Sequence, residues 1–153
     1  MEALLLAAAQ GLDAAGIGGW ARGGPNVYPV ANVAHVLGVI ALVGAIGIVD
    51  LRLAGAWREL PLAALAEALT PVAVAGLVLL LASGTLLFAA DGPALAKSQT
   101  FHVKLGLIAL ALVNAAAFRW RRAATGPVAR VMALASLGLW LAIVVTGRMI
   151  AYS

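Results

Sequence analysis

Charged and strongly polar positions are bunched along this chain, and between the bunches lie four apolar stretches of the length a helix needs to cross a bilayer, about 20 residues. They cover residues 28–50, 71–90, 100–118 and 131–149. Pro29 suits a first helical turn, and Asp50 and Arg52 close the first stretch. Pro71 opens the second, and the turn-forming Asp91-Gly92-Pro93 follows it. Short connections between four spans predict antiparallel neighbours, so the expected fold is an all-α, integral membrane, antiparallel four-helix bundle forming one transmembrane domain over residues 1–153. Residues 3–9 are apolar but too short to span, and Glu2 with no preceding Lys or Arg is unlike a secretory signal. Residues 1–19 therefore read as a short N-terminal interfacial helix ending at Gly16-Ile17-Gly18-Gly19, with a glycine-proline linker after it. Residues 62–70, with Glu67, form an amphipathic approach to the second span.

Composition strengthens this picture. Of 153 residues, 64% are hydrophobic and 10% charged, whereas soluble domains are roughly 45–50% apolar and about 25% charged. The 17 glycines are spread through the apolar stretches, as close helix packing in lipid requires. With no cysteine, disulfides, iron–sulfur clusters and thiolate chemistry are excluded. The net charge of +4 is read as a topology signal and not as nucleic-acid binding. Arg52, Arg58, Arg119, Arg121, Arg122 and Arg130 fall after the first and third spans, and Arg22, Lys97, Lys104 and Arg148 lie on the other side. The positive-inside rule then places both termini outside, with Trp57 and Trp120 at the inner interface and Trp20, Tyr28 and Tyr152 at the outer one.

Chemistry must come from few groups. His35 lies about 9 Å into the first span and His102 near the start of the third, so both belong to the outer half of the membrane. Ionisable groups there default to functional candidates. His102 shares a helical face with Gly106, Ala109, Val113 and Ala116; His35 shares one with Gly38; Ser83 and Gly84 come from the second span. Two imidazoles among small residues are how a helical bundle holds b-type haem, with Lys104 and Arg148 placed to pair with propionates. Lys104 snorkelling to headgroups is the competing reading. Copper held by His35, His102 and Met149 is an alternative, as is a structural role in which the histidines only bond between helices. Asp50 is expected to tether to Arg119 or Arg122, and Asn114 to bond between helices.

The run Tyr28-Pro29-Val30-Ala31-Asn32-Val33-Ala34-His35-Val36-Leu37-Gly38, then Val49-Asp50-Leu51-Arg52-Leu53, Ser83-Gly84-Thr85-Leu86-Leu87-Phe88 and Phe101-His102-Val103-Lys104-Leu105, resembles a family of uncharacterised small bacterial four-helix membrane proteins. More distantly, the first-span histidine and Phe101-His102-Val103-Lys104 resemble the HemJ-type protoporphyrinogen oxidases, and the general plan is similar to CopD-type copper-resistance membrane proteins. The resemblance implies a bacterial inner membrane, a bound haem b, and roles for His35, His102 and Lys104 in oxidising a porphyrinogen. Leu53 and Asn114, or its neighbours, stand where the HemJ-type enzymes carry further histidines. The reading carried forward is a haem b protein transferring electrons with a quinone or a redox partner protein, porphyrinogen oxidation being the enzymatic alternative. A homo-oligomer is compatible with it.

Overall fold

The computed structural model describes residues 1–120 and 126–152; Arg121 and Arg122 lie outside the described residues. Of the described residues, 90% are helical and none is in a strand. The helices are α1 (Glu2–Ala14), α2 (Ile17–Gly23), α3 (Val27–Ala54), α4 (Leu62–Lys97), α5 (Gln99–Trp120) and α6 (Gly126–Met149), ending in a 3₁₀ turn over Ile150–Tyr152. Four helices, α3 to α6, are long and apolar enough to cross a membrane.

α3 packs along α4 and against α6, and α5 packs on α6, whereas the consecutive α4 and α5 scarcely touch. Leu42, Ala111, Trp140 and Ile143 form a buried cluster with Leu77 and Leu80 beside them, so each of the four long helices contributes to one core. The tightest seam is between α3 and α4. A Cβ on Gly38 would stand 3.1 Å from the Gly76 carbonyl oxygen, and one on Gly76 would stand 2.6 Å from the Leu42 amide nitrogen. Without side chains at these two positions the backbones meet directly, which gains dispersion contacts that lipid cannot match.

Two boundaries differ from the sequence expectation. The approach over residues 62–70 is the first part of α4 itself, with Pro71 inside the helix. Ala63, Ala64, Leu65, Ala66, Ala68 and Leu69 favour helix strongly enough to carry it through the one amide that Pro71 removes. At Asp91-Gly92-Pro93 the chain kinks instead of turning away, Asp91 alone leaving helical geometry at φ −122°, ψ 21°.

The N-terminal segment also differs: in place of one interfacial helix within residues 1–19, two helices reaching to Gly23 dock on α4. Gly16 turns the chain between them at φ +78°. Pro93 has no amide to give to the carbonyl four residues before it, Ala89. Arg22 on α2 supplies the missing donor, its Nη1 lying 3.2 Å from that oxygen. Its Nη2 pairs with Asp13 of α1 at 2.6 Å, so one guanidinium joins both short helices to the kink. Ala21, Ala89 and Ala90 are buried at this junction.

Candidate functional site

His35 stands eight residues into α3, about 12 Å along a helix of 1.5 Å rise. Its Nδ1 lies 3.0 Å from the Ser83 hydroxyl of α4. That hydroxyl has one proton, and it is committed to the Leu79 carbonyl at 2.6 Å. Ser83 therefore accepts from His35, the neutral imidazole carries its proton on Nδ1, and Nε2 keeps a free lone pair. This is the arrangement that readies a histidine as ligand or base, its second nitrogen held by a neighbouring acceptor. Gly84 admits the ring: a Cβ there would sit 3.3 Å from His35 Cε1. His35, Ser83 and Gly84, three of the residues singled out from sequence, are thus brought together.

Lys104 reaches beyond its own helix. Its side chain crosses to α6 and lies on Gly147, where a Cβ would stand 3.1 Å from Nζ and 3.4 Å from Cε. The ammonium is close enough to act electrostatically on the His35 ring. Gly147 is the site residue that sequence reasoning missed; its signal was a glycine immediately before Arg148 in an otherwise bulky helix end.

The remaining candidates are placed elsewhere. His102 Nε2 donates to the Ala96 carbonyl at 2.8 Å, closing the α4–α5 turn, and Ala96 is 0% exposed. Ser98 accepts the Phe101 amide in the same turn, and Phe101 stacks on Phe88 with centroids 5.7 Å apart. Gly38 offers no slot for a macrocycle, because Leu80 Cγ lies 2.9 Å from its Cβ position. Gly106 faces outward with nothing within 4 Å of its Cβ position, and Ala109, Val113 and Ala116 are exposed with it. Arg148 bonds Tyr152 at 2.6 Å and lies over its ring, and Met149 is exposed.

Deeper along α3, Asp50 is 8% exposed and has Ser136 of α6 as its hydrogen-bonding neighbour. Oδ2 has no partner among the described residues, and no ion pair to Arg119 forms; Arg122, the other expected tether, lies outside the described residues. The expected tether to Arg119 is replaced by a serine because α6, not α5, packs on this part of α3. Asn114 does bond between helices, Nδ2 donating to Met132 O at 3.1 Å. Comparison of the chain with protein-family models, curated proteins and solved structures gives no match.

Proposed function

We propose that the protein is a redox protein of the bacterial inner membrane that holds b-type haem on His35 and passes electrons, with both termini outside. The observation that carries this reading is the Ser83-fixed imidazole, which presents a free Nε2 inside a membrane-spanning helix. An antiparallel four-helix arrangement accompanies it. Its support is the contact register, in which Ser83, Leu80 and Gly76 of α4 meet His35, Gly38 and Leu42 of α3 in reverse order, while Asn114 and Lys104 meet Met132 and Gly147.

The residues fit haem in part. His35 would hold the haem iron through Nε2, and Lys104 would pair with the carboxylate of a propionate. His102 becomes a second ligand through Nε2 only on releasing the Ala96 carbonyl, and the small residues at 38 and 106 do not line a slot between the two rings. His35 is therefore the principal ligand in this reading. When bound, haem supplies a reversible one-electron iron couple. Ser83 orients the imidazole, and the apolar helices around it exclude water.

The visible spectrum of detergent-purified protein, oxidised and then dithionite-reduced, tests the reading. A sharp reduced α-band lost in His35→Ala is expected. Colourless protein from haem-replete cells overturns it. Lys104, a cation held inside the membrane near His35, favours one further reading, oxidation of a porphyrinogen bearing carboxylates. Porphyrinogen oxidation that persists in both His35→Ala and Lys104→Ala would rule that out.

A further inference from the structure

About 25 Å further along α3 than His35, at 1.5 Å per residue, the molecule carries a second feature that the haem reading does not use. A cavity of about 530 Å³ opens between the end of α3, the start of α4 and the start of α6. Arg52, Arg58 and Arg130 line it, and no carboxylate does among the described residues. Arg52 is fixed in place, its Nε donating to Leu60 O at 2.7 Å and its Nη2 to Arg58 O at 2.8 Å. Gly55, at φ +116°, turns the chain so that Arg58 folds back over it, Nη2 being 3.4 Å from the Gly55 Cβ position. The guanidinium groups of Arg58 and Arg130 have no hydrogen-bond or ion-pair partner among the described residues. The rest of the lining is apolar, with Leu53, Leu62 and Pro127 prominent.

Three guanidinium-bearing residues without a counter-charge repel one another unless an anion joins them. Guanidinium forks match phosphate oxygens two at a time, and they are less strongly hydrated than ammonium groups. The cavity also receives the opening residues of α6, the positive end of a 24-residue helix. An apolar wall beside such a cluster, at the end of membrane-spanning helices, matches a phosphodiester with acyl chains attached better than it matches a fully hydrated ion. We infer that the Arg52–Arg58–Arg130 cavity is a phosphate-binding site, filled by the headgroup of an anionic phospholipid. Inorganic phosphate shares the recognition chemistry and lacks the acyl chains.

The test measures lipid retained by the full chain after detergent exchange, using native mass spectrometry on protein loaded with phosphatidylglycerol, with phosphatidylcholine, or with neither. Arg58→Gln/Arg130→Gln is the variant, since both side chains are exposed and free of structural bonds; Arg119→Gln, outside the cavity, is the control. Phosphatidylglycerol retention is expected to fall at least tenfold in the double variant and to stay unchanged in the control. Equal retention in wild type and double variant, or equal retention of phosphatidylcholine, overturns the proposal. A parallel arm adds millimolar inorganic phosphate. Thermal stabilisation by phosphate alone that disappears in the double variant, without lipid retention, identifies the soluble anion as the occupant and overturns the headgroup assignment.

Discussion

Ser83 determines which nitrogen of His35 is available, and that is a matter of one proton. Replacing Ser83 by Ala removes the acceptor at Nδ1 and leaves the Leu79 carbonyl its ordinary helical partner. The stability change is expected to be small, about 1 kcal/mol for one hydrogen bond. The effect on cofactor retention is larger, because groups that orient a ligand are worth about ten- to a hundredfold in affinity. Haem titration of Ser83→Ala in detergent checks this, and undiminished affinity would separate Ser83 from the site. At this scale the sequence was informative about residue identity and poor on pairing. His35, Ser83, Gly84 and Lys104 stand out as rare polar or small groups in apolar helices. The partner of Asp50 did not, because Ser136 is one serine in an apolar helix whose rotation is set by packing around Trp140 and Ile143. The partner of His102 was hidden for a related reason: spacing gives its depth, but not that the carbonyl of Ala96 lies within reach of its ring.

Among the elements, the α3–α4 seam shows how one substitution can have two signs. Glycine inside a helix costs about 1 kcal/mol relative to alanine, so Gly→Ala should stabilise wherever the added methyl has room. At Gly44 nothing lies within 4 Å of the Cβ position. At Gly76 the methyl meets the Leu42 amide nitrogen at 2.6 Å and the Gly38 carbonyl oxygen at 2.9 Å, and backbone atoms cannot swing aside. Thermal unfolding in detergent should therefore show Gly44→Ala equal to or above wild type and Gly76→Ala lower, by about 1–3 kcal/mol for overpacking. Equal melting of the two variants would mean the helices do not approach as closely as described. The four apolar stretches were legible because about 20 uncharged residues in a row have few other uses. The two misjudged boundaries both involve proline, which reads as a stop signal from sequence alone. Whether it stops a helix depends on who satisfies the carbonyl it frees, and at Pro93 the answer is Arg22, 67 residues away from Ala89.

For the whole molecule, the charge distribution makes an orientation claim that the absence of cysteine renders easy to test. Arg52, Arg58 and Arg130 gather around one cavity at the end to which the sequence assigns six arginines, while the opposite end carries four cations, Lys97, Arg148, Arg22 paired to Asp13 and Lys104 folded across Gly147. Clusters of arginine in short loops are retained on the cytoplasmic side, largely without regard to acidic residues. Single cysteines can thus be placed at exposed, unpaired polar or small positions without disturbing the signal: Gln10→Cys on α1, Glu59→Cys between α3 and α4, and Ala151→Cys after α6. One helix long and apolar enough to cross lies between residues 10 and 59, and four lie between 10 and 151. In intact cells a membrane-impermeant maleimide should label Gln10→Cys and Ala151→Cys, and should reach Glu59→Cys only after permeabilisation. The opposite pattern would invert the molecule and put the arginine cavity in the outer leaflet. Labelling of residues 10 and 59 from the same side would instead mean that α3 does not cross, which would leave His35 in a helix that the bilayer does not shield. The same three variants therefore decide the orientation and whether the His35 site lies within the membrane.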